Sequence, residues 1–229
     1  INEKLRGFDI DPFAVQLAPS NLLIHLIREK RDSADDSAVT TGTEDHLELP
    51  EFPVYETDSL LTTNDESLNP DRFYRAREKD PEHLDQIIRS KQDDYSLVMG
   101  NPPYIRYHNQ SGITGSYQEL HETFGENGPD IYVGFVEQAL DWAEEGGKVA
   151  FVISDRILVN RPSQKIRQYM LDNAKIDLVV DLTRSKIFGF DVDVFPLLIV
   201  MTKTEDEEER LDNEIDVAKV FMKGSWEQR

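Results

Sequence analysis

The stretch that organises this chain is the apolar run Tyr95-Ser-Leu-Val-Met-Gly100, which empties directly into Asn101-Pro102-Pro103-Tyr104. Each proline fixes φ and lacks an N–H, and the residue before a proline is pushed towards extended geometry. The pattern predicts a strand leaving into a rigid loop, with outward carbonyls, an amide side chain and an aromatic ring held side by side. Such a loop suits a flat nitrogen heterocycle or a planar amide. The Asn101 side-chain oxygen and a main-chain carbonyl can accept both hydrogens of an –NH2 group while Tyr104 stacks on its plane. Drawing both hydrogens out of plane localises the nitrogen lone pair and readies it for attack without a strong base. The blander reading is a proline-rich strand exit that only ends an element.

The flanking segments bear on that choice. Gly7-Phe8-Asp9-Ile10-Asp11-Pro12 reads as a short strand end. Phe13 to Arg31 follows with Ala14, Leu17, Ala18, Leu22 and Leu26 at helical spacing. A carboxylate at a strand's carboxyl end before a helix is well placed for a ribose diol; capping of the helix is the other role for these aspartates. Phe52 to Leu61 resumes an extended pattern and passes through Asp58 and Ser59. Residues 32–48 and 62–94 read as surface insertions, polar throughout, with a helix expected near Pro81 to Ser90 and no chemistry.

Beyond the loop, Arg106 is expected either to meet a phosphate or to form a surface ion pair, and His108 reads as a surface residue. Asn109 to Pro129 carries scattered glycines and reads as a loop. Asp130 to Ala143 reads as an amphipathic helix with Tyr132 and Phe135, stopped by Gly146-Gly147. Lys148 to Ser154 is a buried strand by its continuous apolar run. Arg156 to Asn173 reads as one helix bearing Arg161, Lys165 and Arg167. Ile176–Asp181 and Phe195–Thr202 are expected to pair as an antiparallel hairpin with Phe188 or Phe190 at its tip. Residues 205–229 read as an acidic linker and the start of a further region.

Asn101-Pro102-Pro103-Tyr104 resembles motif IV of the S-adenosylmethionine-dependent amino-methyltransferases, in particular the adenine-N6 DNA methyltransferases of restriction–modification type (type IIG, Eco57I-like). The flanking segments resemble motifs II to VIII in family order, from Asp9 to Lys203. The resemblance implies an α/β, Rossmann-like class I methyltransferase fold over residues 1–204. It also implies S-adenosylmethionine as cofactor, with Asp9 on the ribose, Ile10 against the adenine, and Asp58 with Ser59 at the adenine amino group. Tyr132 and Phe135 would border the cofactor or pack inside. The substrate would be an adenine flipped out of double-stranded DNA, stacked between Tyr104 and Phe188, with Arg106, Arg161 and Lys165 towards the DNA. No metal is implied.

Two features depart from that expectation. The glycine-rich motif I should precede Gly7, so the chain reads as incomplete at its N-terminus, a fragment whose target-recognition and endonuclease modules lie elsewhere. The net charge of −20, with 45 acidic against 25 basic residues, also repels phosphate. Acidic residues spread along the whole chain point to adaptation to high salt, where screening shortens electrostatic reach. The absence of cysteine excludes disulfides and thiol chemistry. With no signal peptide or membrane-length apolar run, a cytoplasmic location is expected. Two other functions fit the same residues: methylation of a protein glutamine amide, which meets the same loop demands, and a non-catalytic interaction remnant.

Overall fold

The computed structural model describes residues 5–33, 53–60, 81–105, 121–124, 130–183 and 195–221, and the chain divides into two compact units, 1–91 and 92–229. In the first unit, β1 (Gly7–Asp9) pairs in parallel with β2 (Val54–Glu56), setting Phe8 opposite Tyr55 with their rings stacked at 5.9 Å. Between them runs helix α1 (Pro12–Ser33). Asp11 caps it, accepting from the Phe13 N–H at 2.8 Å, and Pro12 takes the first helical position, where its missing N–H is harmless. The expected apolar stripe of α1 is only partly covered: Leu17 and Leu22 remain exposed. Helix α2 (Pro81–Gln92) buries Ile87 and, unexpectedly, Lys91.

The second unit is built on a five-stranded sheet. Its strands are β3 (Tyr95–Gly100), β4 (Ala143–Ser154), β5 (Ala174–Asp181), β6 (Pro196–Lys203) and β7 (Asp216–Lys219), in spatial order β3-β4-β6-β5-β7. Only β6 runs antiparallel to its neighbours. The expected hairpin of β5 and β6 forms, and β6 also pairs with β4, burying Ile199 and Met201 completely. The residues read as a linker carry a short helix, α6 (Glu207–Leu211), and the strand β7, which joins the sheet along β5.

Two local expectations are corrected. Helix α3 (Tyr132–Trp142) is not amphipathic: Tyr132, Val133, Gly134, Val136, Glu137, Gln138, Ala139 and Leu140 are all buried, so it is a core helix. It also ends before the glycines, and Gly146-Gly147 lie inside β4, where the pairing register with β3 shifts between Tyr95 and Leu97. The single helix expected from Arg156 to Asn173 is broken into α4 (Arg156–Val159), a 3-10 turn (Arg161–Ser163) and α5 (Gln164–Asn173). Pro162 removes an N–H and forces the break.

Buried polarity on α3 has a purpose of its own. The Glu137 carboxylate accepts from the backbone N–H of Glu122 at 3.0 Å, from the Thr123 N–H at 2.9 Å and from the Thr123 hydroxyl, with His121 Nδ1 3.5 Å away. It thereby clasps residues 121–124 to the helix. Burial alone would raise this carboxyl, but the neighbouring His121 and the hydrogen bonds from Thr123 outweigh it and hold the group below its usual 4.5. A depressed carboxyl contributes stability that is full above its unfolded pKa and is lost as pH falls through the folded value. Glu137→Gln is therefore expected to cost about 1–3 kcal/mol at pH 7. The gap between its melting temperature and wild type should narrow as pH is lowered to about 3; a gap independent of pH would refute the clasp.

Candidate active site

In an open α/β sheet, chemistry collects beyond the carboxyl ends of the parallel strands. In the second unit β3, β4, β5 and β7 all point the same way, so Gly100, Ser154, Asp181 and Lys219 share one edge, where β6 starts at Pro196. The loop Asn101–Tyr104 leaves this edge from β3.

Gly100 lies opposite Phe151, and a Cβ there would meet the Phe151 ring at 3.2 Å, so glycine lets the two strands close just before the loop. Pro102 is buried, while Asn101 and Pro103 are exposed. The Tyr104 hydroxyl lies 2.9 Å from Asn101 Oδ1 and 3.0 Å from the Val152 carbonyl on β4, so its one proton is shared between two acceptors. Burial pushes the Tyr104 phenol up from 10.0, so it stays protonated and keeps donating at neutral pH. The far end of the loop is fixed where the Ile105 carbonyl accepts from the Ile131 N–H at 3.0 Å. The Tyr104 ring packs on the core cluster. Asn101 is thus oriented by its own motif: the oxygen bonded to the phenol is assigned as Oδ1 by that bond, and an amide oxygen has a second lone pair to offer.

Tyr132 and Phe135 pack inside. Tyr132 is 1% exposed, and its hydroxyl faces Ser163 without closing a hydrogen bond. Phe135 is half-buried against the same cluster as Tyr104. Of the basic residues, Arg161 and Lys165 are exposed, the latter 3.5 Å from the Glu122 carbonyl, whereas Arg167 donates to the Ile157 and Asn160 carbonyls and serves the helix break. Arg106, His108, Phe188 and Phe190 lie outside the described residues.

Sequence reasoning did not single out the acidic strand ends on this edge. Lys219 Nζ is 2.6 Å from Asp181 Oδ2, and this bond, helped by Thr183, holds the Asp181 carboxyl far below its usual range. Asp155 is pushed up by burial and by the Asp181 charge. Acidic residues closing two apolar runs, Ser154-Asp155 and Val180-Asp181, were the available signal.

In the first unit the two candidate cofactor aspartates sit at the carboxyl ends of β1 and β2, coupled through the Thr57 N–H, which donates to the Asp9 carbonyl at 2.8 Å. Asp9 Oδ1 accepts from the Asp11 N–H at 2.8 Å. Its second oxygen makes no hydrogen bond among the described residues, and Ile10 beside it is 56% exposed. A carboxylate with an available oxygen next to an open apolar side chain fits a ribose and an adenine face. The capping role falls to Asp11, not to Asp9. Asp58 Oδ1 accepts from the Leu60 N–H at 3.0 Å, and Ser59 lies in the same turn. A cavity of about 210 Å³ opens between β1, β2 and α1, with Asp9 on its lining beside Phe8, Ala14, Ala18 and Val54. It is smaller than the usual ligand pocket. Among the described residues no metal-ligand cluster gathers, and no helix is long and apolar enough to cross a membrane.

Comparison with known proteins bears on these sites. Residues 3–188 match the Eco57I restriction-modification methylase family. The chain is 31% identical over 115 residues, 49% of its length and 20% of the relative's, to the type II methyltransferase M.BstVI of Geobacillus stearothermophilus. It spans about a fifth of the length of the curated relatives it matches. Among solved structures, it superposes with a TM-score of 0.58 and 14% identity on a putative class I S-adenosylmethionine-dependent methyltransferase of Listeria monocytogenes, covering 95% of this chain and 49% of that one. With a TM-score of 0.65 and 15% identity it superposes on a nuclease-deletion mutant of the type ISP restriction–modification enzyme LlaGI in complex with a DNA substrate mimic, covering 94% and 18% respectively. The Rossmann-like class I methyltransferase fold is that of this chain.

Proposed function

The chain belongs to the Eco57I restriction-modification methylase family, and from that premise we propose that it is the catalytic part of an enzyme that methylates N6 of a flipped adenine in DNA. The observation that carries this reading is the Asn101–Tyr104 loop. Its amide oxygen is oriented by the Tyr104 phenol, and the ring is anchored to Val152. Asn101 Oδ1 and the Pro102 carbonyl accept the two hydrogens of the amine and turn its lone pair towards the methyl. Tyr104 and Phe188 stack on the base from its two faces. Positioning is the main catalytic term.

S-adenosylmethionine supplies an electrophilic methyl carried on a sulfonium. Asp9 binds its ribose, Ile10 packs on its adenine, and Asp58 with Ser59 meets the adenine amino group. Arg106, Arg161 and Lys165 contact the DNA backbone. A charge of −20 fits an enzyme that works in concentrated salt; an intracellular location and target-recognition and endonuclease modules on other segments belong to the same reading.

The test incubates the full-length enzyme with S-adenosylmethionine labelled on the methyl group and host DNA in molar salt, then digests the DNA. Labelled N6-methyladenine is the expected product. Label in another base would overturn the adenine assignment, and label in glutamine of a protein would overturn DNA as the substrate.

A further inference from the structure

Lys91 has no place in the reaction described above, yet it is among the most deeply buried charged side chains of the described residues. It lies on the last turn of α2, 5% exposed. Its ammonium donates to the backbone carbonyl of Asp58 at 2.5 Å and stands 6.0 Å from the centre of the Phe8 ring. Phe8 and Tyr55 are the paired central residues of β1 and β2, and Asp58 follows the end of β2. One side chain therefore reaches from α2 to both strands that present the proposed cofactor residues. A methionine of similar length would fill this space without the desolvation that an amine suffers.

We infer that Lys91 is a positioning residue for cofactor binding: its ammonium fixes the Asp58 turn so that the Asp58 carboxylate meets the amino group of the cofactor's adenine. This rests on the reading of Asp58 given above. By holding the Asp58 carbonyl, Lys91 sets where the peptide turns; the Leu60 N–H bond to Asp58 Oδ1 then sets the direction of the carboxylate. Burial lowers the Lys91 amine to about 8, with the Asp58 charge opposing that shift. The ammonium is thus retained near neutral pH against the preference of its surroundings, and the fold is not more stable for holding it there. Stability and binding should consequently respond in opposite directions when it is removed.

The test titrates S-adenosylmethionine calorimetrically into the full-length enzyme and its variants Lys91→Met, Asp58→Ala and the double substitution, with melting temperatures recorded alongside. Asp58→Ala is expected to weaken binding about tenfold or more, about 1.4 kcal/mol per factor of ten. Lys91→Met should weaken it by a similar factor with a melting temperature equal to or above wild type. The double variant should bind no worse than Asp58→Ala alone, because Lys91 acts through Asp58. Unchanged binding in Lys91→Met, additive losses in the double variant, or a melting temperature that falls with affinity would each overturn the role of Lys91. Unchanged binding in Asp58→Ala would overturn the reading of Asp58 itself, and the two failures are distinct.

Discussion

Asn101→Ala is expected to lower the rate of methyl transfer by about 10²–10³-fold, the range found when one preorganised polar partner is taken from a reacting centre. The melting temperature should stay within about 2 °C of wild type, because an exposed side chain away from the core contributes little to stability. The substitution removes the amide oxygen of the Asn-Pro-Pro-Tyr motif and leaves the Pro102 carbonyl to hold the amine. It does not release the loop, because Tyr104 keeps its bond to the Val152 carbonyl and Ile105 its bond to Ile131. Single-turnover kinetics with saturating cofactor separate the two contributions: the chemical step should slow while cofactor affinity is unchanged. A variant that transfers methyl groups at the wild-type rate would remove Asn101 from the mechanism.

Gly147→Ala is expected to be the most damaging alanine substitution among the described glycines, costing about 2–3 kcal/mol by overpacking. A Cβ at this position would stand 2.8 Å from the carbonyl oxygens of both Glu144 and Tyr95, and 3.0 Å from the Glu144 nitrogen. These are backbone atoms of β4 and β3 at the register shift between them, so no side chain can swing aside. Gly146 provides the control. Its φ of 77° lies in the left-handed region, but a Cβ there meets nothing within 4 Å. Gly146→Ala should therefore cost only the conformational term, about 1 kcal/mol. Chemical denaturation of the two variants checks the order; equal losses would show that the crowding at Gly147 relaxes freely.

The contrast between these glycines marks what the chain discloses before it folds. Gly146-Gly147 is legible as a punctuation mark, but the default meaning, a helix stop, is the wrong one. Helix α3 is ended by the extended backbone of Ala143, and the glycines serve the pairing of β4 with β3 beside Tyr95, a contact between segments far apart in sequence that no local pattern encodes. The strands β3, β4 and β5–β6 were readable because an apolar run is a property of the segment itself, although β3 leaves Leu97 and Met99 exposed. The loop at Asn101 was readable because two prolines determine the backbone wherever they stand. Lys91 and Glu137 were not. Each sits in a polar or helical stretch that looks solvated, and each is buried only because a distant element closes over it: the Asp58 turn in one case, residues 121–124 in the other. Arg106 and Phe188 were legible by position, beside the loop and at a hairpin tip, whereas base stacking for Phe188 came from the resemblance.

The reversed strand β6 also constrains how the chain assembles during synthesis. Strand β5 leaves the ribosome before β6, but both its neighbours in the sheet, β6 and β7, are translated after it. A nascent chain that has reached only residue 195 holds β5 with no partner and β4 with one edge open. Exposed strand edges of apolar sequence are templates for pairing between chains. A pause before Pro196 should therefore favour aggregation more than a pause after β6 has emerged, since β6 then covers the open edge of β4 and one edge of β5, whose other edge waits for β7.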